Sequence, residues 1–497
     1  MLAEVWVDGE LMAGTDSGWK YTETAYYGRS MAVGYETQFL EELDARLSPG
    51  DWMRPDYDDS EWKPAVVKEA DDHRPVLQLT PPVSVYEVRP VRIDRLSEGR
   101  YLADFGGEVT GQFLMEAQGE AGQQVKVRCG EELLEGEAGV RFHMRCNCTY
   151  SETWTLSGRR DRLTPFDYKA FRYVEVLGPE SVLQPDSFAA IVRHYPLDEE
   201  ACTFESEHPL LNRVWDICKN GVKWGSQESF VDCPSREKGQ YLGDNTVITH
   251  AHMYVSGDLR MTRKALTDFA HSSEAVCLGL LAVVPGSFMQ EIADFSLQWP
   301  LQLLQYYRQS GDADFVREML PVAEGICEYF AGYAREDGLL HNVNEKWNLV
   351  DWPDNLRDGY DFALTDPVGE GCHNVINAFY YGCLSAVDEL RNAMGLEAAY
   401  KGRRVRLKEA YVKAFFRPEA GVFADSESSE HASLHANALP LYFGLVPAEA
   451  VLPVIRLLKS KRLACGVYMA YFLLNGLACV GELAYVFELL TSDDKRS

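Results

Sequence analysis

The sequence is short of positive charge. Its 48 lysines and arginines face 76 aspartates and glutamates, for a formal net charge of −28. Nucleic acid and anionic membrane surfaces both select basic patches, so neither is expected as a partner. Long apolar runs are missing as well. Segments such as CLGLLAVVPG are far shorter than the roughly 20 residues that a membrane helix needs. The opening MLAEVWVDGE has no basic stretch followed by an apolar one, so no secretory leader is expected. The 12 cysteines form no framework. Cys146 and Cys148 stand too close for a lone zinc site, and no CxxC accompanies them. Reduced thiols in a cytoplasmic protein, with no bound metal, are the expectation. No GxSxG and no Walker loop occurs. The glycines of EKGQYLGD follow no strand of a βαβ unit, so no dinucleotide or other cofactor is expected.

What is present is an ordinary globular balance, 46% hydrophobic and 25% charged, spread over 497 residues. That length exceeds one domain. Aromatic residues reach 12%, including 10 Trp and 26 Tyr, which suits sugar-binding surfaces and large cores alike.

The chain changes character near residue 200. Before it, VSVYEVRPVRI, QFLMEAQG and QQVKVRCGEEL alternate apolar and polar residues between glycine-rich breaks. TPFDYKAFRYVEVLG reads as a strand pair ending at Gly178. An antiparallel sandwich or jelly roll is expected here. From about Pro209 the spacing becomes helical. PLLNRVWDICKNGVKWG sets Leu211, Val214, Ile217 and Val222 on one face. Similar segments, punctuated by Gly or Pro, continue to the end. The pattern predicts about eleven helices in pairs, one fewer than a ring of six hairpins requires.

Residues 231–244 read VDCPSREKGQYLGD. Asp232, Glu237 and Asp244 fall within this short stretch, and Cys233, Pro234 and Gly239 deny it a regular helix. A solvated turn of mixed charge is one reading. The other is a catalytic loop. Cleaving a glycosidic bond takes a proton donor and a second carboxylate that positions water or attacks. Neighbouring negative charges help a donor keep its proton. Arg236 could clamp Asp232 or Asp244 as an anion and leave Glu237 as the acid. Two further segments support a sugar site: IADFSLQWP, with Asp294, Phe295 and Trp299, and EKWNLVDWPDN, with Trp347, Asp351 and Trp352. Tryptophan faces stack on the C–H faces of sugars, although each ring taken singly is equally a core residue. His431 and His435 lie one helical turn apart with no glutamate placed as in HExxH. A polar pocket, a metal pair and plain structure all remain open for them.

DCPSREKGQYLGD resembles the catalytic-loop signature of bacterial α-L-rhamnosidases, inverting glycoside hydrolases with a six-hairpin toroid. The resemblance implies that Glu237 is the general acid and that Asp232 and Asp244 complete the catalytic group by binding rhamnose hydroxyls. It implies a sugar pocket of Arg236, Tyr241, Trp299, Asp351, Trp352 and His431. The family usually carries Trp where Tyr241 stands. YLADFGGEVTGQF, TYSETWTLSG and FDYKAFRYVEVLG resemble the family's concanavalin-like sandwich, and DWMRPDYDDSEWKPA the end of its preceding jelly roll. The implied layout is a partial jelly roll over 1–82, a concanavalin-like sandwich over 83–197 and a toroid over 198–497.

Two departures accompany the likeness. The jelly roll begins inside its own pattern, and the sequence stops at LAYVFELLTSDDKRS, before the family's segment bearing the general-base glutamate and its closing β domain. A chain truncated at both ends, with an unclosed ring and impaired turnover, is the expectation. Losing a general base commonly costs about 10²–10⁴-fold. A rhamnose-containing glycoside is the expected ligand, and a homodimer stays open. Two rivals remain: a carbohydrate-binding protein without turnover, and another six-hairpin sugar enzyme.

Overall fold

The computed structural model describes residues 3–34, 38–68, 76–136, 138–145, 147–275, 278–280, 282–285, 291–343, 346–362 and 370–494. The chain divides into two compact units. One comprises residues 1–78, 83–194 and 233–237; the other comprises 79–82, 195–232 and 238–497.

The first unit is β structure built around a ten-stranded sheet. Its central strand, Arg100–Gln118, pairs with four others: Arg92–Ser97, Arg160–Leu163, Lys169–Leu177 and Ala189–His194. One strand can serve so many partners because it runs for 19 residues and its register shifts opposite Phe171–Tyr173. Alternation decides which side is buried: along Gln124–Gly130, Val125, Val127 and Cys129 point inward. They join Phe113, Trp154, Phe171 and Phe188 in the core. The pairing is antiparallel as expected, save for one parallel contact of Gln38–Asp44 with Ser151–Thr155. TPFDYKAFRYVEVLG forms a single strand, Lys169–Leu177, rather than a pair. The Pro-Phe-Asp start lies in a loop, where proline withholds a ladder donor.

The second unit is helical. Its helices are α1 (Pro209–Gly225), α2 (Leu242–Ser256), α3 (Arg260–Ala275), the single turn α4 (Ala293–Ser296), α5 (Trp299–Ser310) and α6 (Ala313–Ala331). They continue as α7 (Asn374–Ala393), α8 (Lys401–Phe415), α9 (His435–Tyr442), α10 (Val451–Lys461), α11 (Val467–Cys479) and α12 (Leu483–Thr491). Among the described residues, setting aside the single turn α4, these are the eleven helices that the periodicity predicts. Helices α2, α5, α7, α9 and α11 pack each against the next, and α11 packs against α2. The helix number is the one expected of a six-hairpin toroid short of one helix.

Composition explains which helices are inside. NVINAFYYGCLSAVDELRNA of α7 is apolar on nearly all sides and is buried for most of its length. KGRRVRLKEAYVKAF of α8 buries only a stripe, Leu407, Ala410, Tyr411, Ala414 and Phe415. Left-handed glycines stop helices cleanly: Gly257 ends α2 and Gly311 ends α5, both at φ 65°. The α1 face read from sequence needs correction at Ile217, which is 71% exposed. At roughly 100° per residue it stands about 120° around the helix from Leu211, off the stripe. No described helix is long and apolar enough to cross a membrane.

Close approach of the inner helices gives a direct test. A Cβ on Gly382 of α7 would lie 2.3 Å from the Phe443 ring, whereas one on Gly325 of outer α6 would meet nothing within 4 Å. Gly382→Ala should destabilise the protein by about 1–3 kcal/mol, and Gly325→Ala should be neutral or stabilise it by about 0.5–1 kcal/mol. Urea unfolding of both variants checks the contrast.

Candidate active site

In the helical unit, the 231–244 loop closes on itself before α2 begins. The Asp232 N–H donates to the Gly239 carbonyl at 2.8 Å, and the Gly239 N–H donates to Asp232 Oδ1 at 3.0 Å. Lys238 turns the chain with a left-handed φ of 54°. Tyr241 then bridges to Val283 and caps α2. Gly243 is required by its neighbour, since a Cβ there would stand 2.3 Å from the Phe295 ring. This packing fixes Asp244 in the first turn of α2, where the helix dipole favours a carboxylate.

The intervening residues 233–237 group with the β unit. Tyr150 Oη donates to the Ser235 carbonyl, and Cys148 Sγ lies 3.8 Å from the same oxygen. Glu131 hydrogen-bonds Ser235 and faces the Arg236 guanidinium. Arg236 Nη2 stands 3.8 Å from Glu237 Oε1, and the Glu237 side chain is 15% exposed.

The loops between helix pairs are held by buried carboxylates. Asp294, in α4, accepts the backbone N–H groups of Leu349 and Val350 at 3.0 and 2.8 Å. Burial, only partly offset by these donors, lifts its pKa to about 6. Asp351 gathers three segments. Its Oδ1 accepts the Trp352 N–H at 2.8 Å; its Oδ2 accepts the Gly466 N–H at 2.7 Å and pairs with His435 Nε2 at 2.8 Å. The Gly466 position admits no side chain, because a Cβ would fall 2.2 Å from the Trp352 carbonyl oxygen. Asp351 and His435 are both fully buried, so Asp351 shapes the loop from behind. Trp352, the next residue, is 38% exposed.

One expected pocket residue sits elsewhere. Trp299 is wholly buried and its Nε1 donates to the Leu266 carbonyl at 3.3 Å, so it is a core residue with no face for a sugar. Its place as first residue of α5, an inner helix, accounts for the difference. His431 is anchored through Nδ1 to the buried Asp425 at 2.7 Å. Asp361, Asp425 and His431 offer ligand atoms within 4.8 Å of one another. Their carboxylates already take protein donors, Ser426 and Ser429 on Asp361 and Ser433 on Asp425, so the cluster is accounted for as a hydrogen-bonded knot. Sequence reasoning assigned no part to Glu131, Gly466 or Tyr468. Only a glycine at a helix start hinted at the second, and nothing marked the others.

Inner helices jacketed by outer ones, with long loops between the pairs that carry buried aspartates, give the architecture of a six-hairpin glycosidase domain. Sequence comparison agrees. The α-L-rhamnosidase N-terminal domain matches residues 6–87, the bacterial α-L-rhamnosidase concanavalin-like domain matches 94–194, and the bacterial α-L-rhamnosidase 6 hairpin glycosidase domain matches 199–497. The chain belongs to this bacterial α-L-rhamnosidase six-hairpin family. It is 22% identical to an α-L-rhamnosidase of Formosa agariphila over 489 residues, covering 91% of this chain and 49% of the relative. It is 25% identical to one of Streptomyces avermitilis over 468 residues, covering 90% and 42%. The chain thus spans about half the length of the curated relatives it matches. Among solved structures, the Dictyoglomus thermophilum α-L-rhamnosidase is similar with a TM-score of 0.79 at 21% identity, over 98% of this chain and 54% of that one. The Streptomyces avermitilis enzyme complexed with L-rhamnose gives 0.78 at 22% identity, over 99% and 46%.

The Asp294 carboxyl yields a pH prediction. Its pKa is raised in the fold from 3.8 to about 6, so the native state holds this proton more tightly than the unfolded chain does. The associated stability is full below about pH 4 and is lost as pH rises through about 6, amounting to about 3 kcal/mol. Asp294→Asn cannot titrate there. The stability of the natural protein relative to this variant, measured by urea unfolding, should therefore fall between pH 4 and 7; a flat difference would contradict the burial argument.

Proposed function

We propose that this chain carries the acid-bearing and sugar-holding part of an α-L-rhamnoside hydrolase, with Glu237 as the proton donor. The observation that carries the reading is the 232–244 loop. Its backbone is clasped at Asp232–Gly239 and packed at Gly243 against Phe295, so its carboxylates are held by design of the loop rather than left on a free turn. The family membership and the L-rhamnose bound by the Streptomyces avermitilis relative support the choice of sugar.

In this reading Asp232 and Asp244 accept sugar hydroxyls, Arg236 and Tyr241 shape the same pocket, and Trp352 offers a ring face to the C–H side of the sugar. Asp351 acts from behind by fixing Trp352. His431 belongs to the supporting knot. Glu237 delivers its proton to the glycosidic oxygen as the bond breaks, and a second carboxylate across the sugar activates water with inversion at the anomeric carbon. Rhamnose differs from mannose by a methyl where mannose has CH₂OH, so an apolar wall at that position supplies the selectivity. The ten described cysteines are all free thiols, six of them buried, which supports a reducing, cytoplasmic setting.

The test is calorimetric and kinetic. L-Rhamnose should bind the chain, and Asp244→Asn should weaken binding about tenfold or more, the size of a charge-assisted hydrogen bond. With aryl and alkyl α-L-rhamnosides, Glu237→Gln should depress cleavage of the poor alkyl leaving group far more than that of a nitrophenyl one, which needs little proton donation. Binding without any turnover would favour the carbohydrate-binding alternative. Preference for a different sugar would point to another six-hairpin activity.

A further inference from the structure

Gln298 sits in the fully buried turn that joins α4 to α5, and its amide orientation is fixed by what surrounds it. Its Nε2 faces the Asp294 backbone carbonyl at 2.9 Å, and a carbonyl can only accept. Its Oε1 accepts from Thr246 Oγ1 of α2 at 2.8 Å. The second Nε2 hydrogen therefore points to Tyr468 Oη, which must accept it. One lone pair of the phenol is thereby occupied, and its own hydrogen has no acceptor among the described residues.

Tyr468 stands in the first turn of α11, an inner helix, and its ring packs on Phe295 and Phe472 at centroid distances of 5.7 Å each. Phe295 is the ring against which Gly243 of the catalytic loop is pressed. The ring of Tyr468 is only partly covered, unlike its neighbours Met469 and Phe472. Burial keeps the phenol protonated, and the Asp294, Asp351 and Asp244 carboxylates act in the same direction. A fixed donor thus stands within the field of Asp244, an acceptor, beside an apolar aromatic wall. That combination reads a sugar: one hydroxyl accepts, its neighbour donates, and the C–H face rests on the rings.

We propose that Tyr468 is a specificity-determining residue of the sugar site, its phenol donating a hydrogen bond to one ring hydroxyl of an L-rhamnose unit while Asp244 accepts from another. This rests on the rhamnoside reading above. It also assigns the Gln298–Thr246 pair a role, since together they aim the phenol.

The experiment is a binding series with the whole chain. L-Rhamnose and its 2-, 3- and 4-deoxy analogues are titrated into the natural protein and into Tyr468→Phe. The expected result is about a tenfold loss for L-rhamnose in the variant, with the loss vanishing for the single analogue that lacks the hydroxyl Tyr468 contacts. A merely structural tyrosine would instead weaken every sugar equally, and that outcome, or no loss at all, overturns the proposal while leaving rhamnose binding intact. If the natural protein binds none of the sugars, the rhamnoside reading itself falls, and this inference with it. Because Tyr468→Phe strips an acceptor from a buried amide, hydroxyl-radical footprinting of the natural protein provides a second readout. Saturating L-rhamnose should protect the Tyr468 ring from oxidation several-fold, and unchanged labelling there would refute the contact.

Discussion

Buried carboxylates facing backbone N–H groups hold this site together. A carboxylate taken out of water costs several kcal/mol unless donors meet it. Asp294 and Asp351 meet donors from segments distant in sequence: Leu349 and Val350 for the first, Trp352, Gly466 and His435 for the second. The irregular loops between helix pairs are thereby tied to the helix starts of the inner ring. Ties of this kind are what holds a binding loop in place before a ligand arrives.

The same logic reaches the 231–244 loop by different means. Its ends are fixed in the helical unit by the Asp232–Gly239 clasp and by the bare Cα of Gly243 against Phe295. Its middle, residues 233–237, is fixed in the β unit by Tyr150, Cys148 and Glu131. Arg236 stands 3.8 Å from Glu237 within this segment.

Much of this was legible in the sequence, and the reasons are specific. Period-two alternation in QQVKVRCGEEL and near-continuous apolar character in NVINAFYYGCLSAVDELRNA each announce their element and its burial. The irregular course of the 231–244 loop was legible too, because proline and glycine in one short stretch deny it a regular helix. What failed to show were relations between distant segments. Trp299 looked like a sugar platform because a ring beside an aspartate is ambiguous until the inner helix is known to bury it. The approach of Arg236 to Glu237 could not be read because direction of a side chain is not a property of spacing. Tyr468 carried no signal at all, for its importance lies in a hydrogen bond to Gln298, 170 residues away.

The most direct test of the account is a crystal structure of this chain with L-rhamnose. The account predicts the sugar in the helical unit, its hydroxyls bonded to the Asp232 and Asp244 carboxylates and its C–H face on an aromatic ring. A sugar found on the β unit, or a helical unit that stays empty at saturating L-rhamnose, would contradict it.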